Sequence, residues 1–247
     1  MKRKTANPEK NLRTEQFRVE LCAAMAVAIR SGGIPSAVMF SGGFDSIFLY
    51  EQARQVFPGV AAVTVAFDRY NPRTVLEAQR AARLLKARHQ VVRVSLKEYI
   101  LSAIRVEELL KGRGRDYDIP LLHAALLKLP SSFNRFWAGM GSDQWLGEEA
   151  MARGPSTARR RSQAREMVRH HGIIAADSGR EIVFPFLEKA VLDAAVRIPA
   201  PLKKGKRLLR SLSPDLSVLF PCVGKPELQV PASVRALALN CCRKRGG

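Results

Sequence analysis

Six consecutive residues, Ser41-Gly42-Gly43-Phe44-Asp45-Ser46, bring together the residue types that hold a phosphate. They follow the apolar run 36–40 (SAVMF), which lies between Pro35 and Gly42-Gly43 and reads as a buried strand. They open a stretch of helical spacing over 45–56, with Ile47, Phe48, Leu49 and Val56 apolar. A strand, a glycine-rich turn and a helix start form an anion site, because backbone N–H groups converge there and the helix dipole adds favourable charge. Gly42 and Gly43 allow close backbone approach, Ser41 and Ser46 add hydroxyl donors, and Asp45 can hold a Mg²⁺ that bridges phosphate oxygens. A lone Ser-Gly-Gly would read as a plain strand-to-helix turn with a Ser or Asp cap. The whole string after a buried strand favours the phosphate. No G-x-x-x-x-G-K-[ST] occurs, so this is not a Walker A loop.

The surrounding elements fit that placement. Phe17, Leu21, Ala24, Met25 and Ala28 give one helix face over 14–30, which Ser31-Gly32-Gly33 stops. Strands are expected over 60–67, 89–94 and 133–138, and helices over 72–87, 97–110 and 120–129. This alternation predicts an α/β fold, a parallel sheet with helices on both faces. Residues 1–13 form a basic arm, 14–148 a nucleotide-binding core, and 149–247 a helical C-terminal portion. Residues 153–169 hold six arginines and one acid. Gly154-Pro155-Ser156 and the clustered charge predict an exposed, mobile loop over 153–165.

Lys and Arg number 41 against 22 Asp and Glu, a net charge of +19 that favours anionic partners, nucleic acid among them. Four cysteines without any C-x-x-C exclude a disulfide framework, a zinc ribbon and a thiol-redox centre, and a cytoplasmic location is expected. No run of 18 uncharged apolar residues suggests a membrane span. His170-His171 beside the arginines reads as a solvated face, His89 as structural, and Trp137 and Trp145 as core.

Ser-Gly-Gly-x-Asp-Ser resembles the PP-loop of N-type ATP pyrophosphatases, a superfamily that includes asparagine synthetases, GMP synthetase, NAD synthetase and several tRNA-modifying enzymes. Three further segments, in matching order and spacing, resemble the synthetase domain of asparagine synthetases. Gly139-Met140-Gly141-Ser142-Asp143-Gln144 is similar to its G-E-G-S-D-E. Glu181-Ile182-Val183-Phe184-Pro185-Phe186-Leu187-Glu188 is similar to E-x-R-x-P-F-L-D, and Lys206-Arg207-Leu208-Leu209-Arg210 to K-x-x-L-R. The resemblance spans residues 14–212 and implies an adenine nucleotide alpha hydrolase-like fold that takes ATP and Mg²⁺. It implies that Asp45 and Asp143 hold Mg²⁺ and pyrophosphate, that Ser41, Gly42, Gly43, Ser46, Gly141 and Ser142 cradle phosphate, that Gly139 and Val65 line the adenosine, and that Lys206 neutralises charge growing on the transferring phosphoryl group.

The activity implied is that of an AMP-forming carbon–nitrogen ligase, which adenylates a small-molecule carboxylate, releases pyrophosphate and passes the acyl group to a nitrogen donor. Met140 stands where the family has a glutamate, and Gln144, Val183 and Glu188 replace the usual Glu, Arg and Asp. Lys2 stands where the family's glutaminase nucleophile would be, so no glutaminase activity is expected of this chain and a separate ammonia-supplying partner is among the expected ones. Two alternatives remain open: an RNA- or tRNA-modifying enzyme, favoured by the charge, and a nucleotide-binding pseudoenzyme, favoured by Met140.

Overall fold

A strand buried on both faces has no room for polar alternation, and the second strand shows this most plainly. The computed structural model describes residues 8–68, 72–112, 118–147, 157–220, 230 and 232–245. Five strands, β1 (Ala37–Met39), β2 (Ala61–Phe67), β3 (His89–Val94), β4 (Arg135–Ala138) and β5 (Glu181–Val183), form one sheet in the order β3-β2-β1-β4-β5. Each neighbouring pair is parallel. All seven residues of β2 are buried, including its one polar residue, Thr64, as expected where helices cover both faces of a parallel sheet. The connecting helices are α2 (Phe44–Val56), α3 (Pro72–Leu84), α4 (Leu96–Leu110) and α5 (Asp118–Lys128), after an initial α1 (Pro8–Ser31). The later chain gives α6 (Ser142–Leu146), α7 (Thr157–Asp177), α8 (Lys189–Arg197), α9 (Ala200–Lys203), α10 (Arg207–Ser211), α11 (Pro214–Leu219) and α12 (Ala232–Arg245).

The chain divides into two compact units. One takes residues 34–138, 165–183 and 222–247 and contains the whole sheet. In it α4 packs on α5 and on α12. Val106, Leu110, Ile119 and Ile174 form an apolar cluster. The other unit takes residues 1–33, 139–164 and 184–221. There α1 packs along α8, and a 3₁₀ turn over Pro185–Leu187 packs against both.

Three expectations change. Glu181–Val183 is a strand, although three residues are too few to show a strand period. Helix α1 begins at Pro8, inside the expected basic arm; a proline suits the first turn of a helix, where its missing N–H leaves no bond unmade. Residues 157–165 are helical rather than a loop. The arginine-rich start of α7 carries a buried Ala164, and Arg161 pairs with Asp193 of α8 at 3.1 Å, so the charge that argued for a loop is partly neutralised. Lys2 and residues 153–156 lie outside the described residues. The sheet, its order and its helical cover make this a Rossmann-like α/β fold with a helical C-terminal part.

Candidate functional site

In the sheet unit, strand order reverses at β1. The chain runs from β1 outward through β2 to β3, then returns so that β4 pairs with the free side of β1. The carboxyl end of such a strand is where open α/β sheets bind ligands. There β1 gives way to Phe40, the Ser41–Ser46 loop and the first turn of α2. Gly43 is the N-cap of α2, Asp45 lies in its first turn, half-buried, and Ser46 is buried.

The loop is held by its own serines. Ser46 Oγ donates to Gly43 O at 2.9 Å and accepts from Ser41 N at 3.2 Å. Its proton is therefore committed, and the 3.2 Å contact between the two hydroxyls has Ser41 Oγ as donor. Gly43 N donates to Ser41 Oγ at 3.3 Å and closes the ring. The serines, with the N–H groups of Ser41 and Gly43, thus shape the turn, and the N-terminus of α2 is its anion-directed feature. Gly42 has φ +78°, and a Cβ there would stand 2.7 Å from Ala78 N of α3, so its close approach is to a helix backbone. Val65 pairs with Val92 in β3 and its side chain is buried.

The second segment belongs to the helical unit. Gly139 follows β4, Met140 is half-buried, and Gly141, with φ +95°, is the N-cap of α6. A Cβ on Gly141 would collide with the Leu187 side chain, so the Pro185–Leu187 turn packs directly on this glycine. Gly147 does the same for Asp143, whose Oδ1 would lie 2.8 Å from an added Cβ. Lys206 Nζ is 2.9 Å from Asp143 Oδ1 and 3.4 Å from Ser142 Oγ. Lys206 reaches them from a backbone in the left-handed region, φ +57°, directly after Gly205 at φ +60°. A non-glycine residue there is strained. The structure therefore groups Gly141, Ser142, Asp143 and Lys206 in one unit, and Ser41, Gly42, Gly43, Asp45, Ser46 and Val65 in the other.

Outside these segments, Ser102 Oγ lies 3.2 Å from His123 Nδ1, and His123 Nε2 lies 3.1 Å from Asp177 Oδ2. These are the residue types of a nucleophile, base and acid, but Ser102 is 4% and His123 1% exposed, so no substrate reaches them. Burial lowers the His123 pKa, and Arg105, which bonds Asp177 at 2.6 Å, helps hold the aspartate below the usual carboxylate range. The group joins α4, α5 and α7 and carries structure. His170 and His171, expected on a solvated face, are buried. Nδ1 of His171 donates to Met167 O at 2.8 Å, which turns that ring back along its own helix. Trp137 and Trp145 are buried as expected.

Among the described residues no group of three or more His, Cys, Asp or Glu could hold a metal ion, and no helix is long and apolar enough to cross a membrane. No protein-family model and no curated protein sequence matches this chain.

Proposed function

We propose that this chain is an AMP-forming ATP pyrophosphatase of the PP-loop kind, resembling the synthetase domain of asparagine synthetases. One observation carries the reading: the Ser41–Ser46 string stands at the carboxyl end of β1, where strand order reverses, and opens α2. A substrate carboxylate oxygen attacks the α-phosphorus of ATP, the bond to the bridging oxygen breaks, and pyrophosphate leaves. A nitrogen nucleophile then attacks the acyl-adenylate carbonyl and AMP leaves. The α2 N-terminus, presented by the serine-shaped loop, binds phosphate oxygens. Lys206, seated against Asp143 and Ser142, supplies positive charge to a phosphoryl group in transit. Asp45 and Asp143 are hard oxygen donors of the type Mg²⁺ takes, one or two carboxylates beside waters and phosphate oxygens. The ion, arriving with the nucleotide, would neutralise charge on the leaving pyrophosphate.

Met140 supports a second reading, nucleotide binding without amide formation, since a thioether is no general base. One assay separates the two: exchange of labelled pyrophosphate into ATP, with Mg²⁺ and a panel of small carboxylic acids. We expect exchange with at least one acid, faster than any amide appears, by about 10²–10⁴-fold if a base is missing. ATP binding without exchange for any acid would leave the second reading standing. Exchange only when RNA is added would move the acceptor to nucleic acid.

A further inference from the structure

The peptide unit that leads into the loop is held at both ends. Ladder bonding between β1 and β2 finishes with Phe40 N donating to Val63 O at 2.7 Å. The carbonyl of the same residue accepts the Thr64 hydroxyl at 2.5 Å, and on the other side of that peptide Ser41 N donates to Ser46 Oγ. Because the Thr64 proton goes to Phe40 O, the 2.7 Å contact between Thr64 Oγ1 and His89 Nε2 requires the ring to donate. His89 is placed for this by its register opposite Ala62 on the neighbouring strand. Its ring also meets the Phe40 ring edge-on, with centroids 5.9 Å apart. Thr64 is 1% exposed in an otherwise apolar strand, where a valine of the same shape would fit.

We propose that Thr64 and His89 are positioning residues of the phosphate loop, fixing the Phe40–Ser41 peptide plane through the line His89 Nε2–Thr64 Oγ1–Phe40 O. This rests on the nucleotide reading above. A flip of that peptide would take Ser41 N–H away from Ser46 and open the serine ring that shapes the turn ahead of α2. Neither residue needs to touch the nucleotide.

The test compares Thr64→Val, Thr64→Ser, His89→Leu and His89→Gln, because serine keeps the hydroxyl and glutamine keeps a donor near the Nε2 position. Amide hydrogen exchange at Ser41 and Gly43 is measured without ligand, and ATP affinity is measured by calorimetry with Mg²⁺. Thr64→Val and His89→Leu should each speed exchange and weaken ATP on the order of tenfold, the worth of one buried hydrogen bond, with serine and glutamine restoring most of both. Exchange within α5 should stay unchanged. Wild-type exchange in Thr64→Val, failure of Thr64→Ser to rescue, or equal loosening in α5 would overturn the proposal. Should the wild type bind no ATP while Thr64→Val still frees Ser41 and Gly43, the nucleotide reading falls and the positioning role remains.

Discussion

At Gly42 a left-handed backbone and a helix backbone within van der Waals reach act on the same atom. Gly42→Ala meets both: about 1–2 kcal/mol for the left-handed conformation and about 1–3 kcal/mol for crowding a packed contact. The urea midpoint should fall accordingly with an unchanged slope, and a change under about 0.5 kcal/mol would mean that α3 does not press on the loop. Lys206 shows the opposite economy. Its φ of +57° is unfavourable for lysine and free for glycine. Lys206→Gly loses a half-shielded ion pair worth about 0–1 kcal/mol and gains about 1–2 kcal/mol of strain relief. Stability should therefore hold or rise by up to about 2 kcal/mol, while pyrophosphate exchange falls by about 10²–10³-fold if the ammonium stabilises charge. Exchange at the wild-type rate would make the lysine structural. The sequence pointed to Lys206 only through K-x-x-L-R, with Lys203 and Lys204 close by as equals. What singles it out is the pair of left-handed residues, Gly205 and Lys206, and no residue pattern announces left-handed backbone at a lysine.

Elements with a strong period were legible: β3 spans His89–Val94 as expected, and α4 starts within one residue of expectation. Those that tertiary contacts create were not, namely β5, whose three residues pair with β4, and the start of α7, which Ala164 and the Asp193 pair anchor. A local signal was also there to be used at α4. Ser95 and Glu98 have the S-x-x-E spacing of a capping box. Both halves form: Glu98 N donates to Ser95 Oγ at 3.3 Å and Ser95 N donates to Glu98 Oε2 at 2.7 Å. Lys128 from α5 completes the group at 2.8 Å. Lys128 first, then the Ser95 amide, pulls the Glu98 pKa from its ordinary 4.5 to about 2. With the folded value below the unfolded one, this stabilisation is full above about pH 4.5 and is lost as pH falls toward 2. Asp177, also lowered, acts in the same direction, and His123, lowered by burial, is eroded as pH drops below its ordinary value of 6.5. Ser95→Ala should lower stability by about 1 kcal/mol at neutral pH. Glu98→Gln should flatten the acid limb of a stability–pH curve. If the limb keeps its slope in Glu98→Gln, the capping group is not what acid dissolves.

Across the whole molecule, alternation of strand and helix gave away the parallel sheet but not its order. Nothing in the alternation says that β4 returns to the open side of β1, because that depends on which face each crossover helix covers. Charge is legible without any fold. A net +19 predicts association with polyanions, driven by counterion release and therefore steeply dependent on salt. The start of α7 separates a binding face from simple solubility. Arg159 is exposed, Arg160 and Arg161 are half-buried, and Arg161 pairs with Asp193. If this face meets single-stranded RNA, Arg159→Ala and Arg160→Ala should each reduce the slope of log K against log salt by about 0.7. Arg161→Ala should in addition cost up to about 1 kcal/mol of stability, the worth of its pair with Asp193. A poly(U) titration between low and physiological salt measures all three. Equal slopes in the three variants and the wild type would place the RNA contacts elsewhere. Binding that ignores salt, or no binding, would leave the excess charge with solubility as its role.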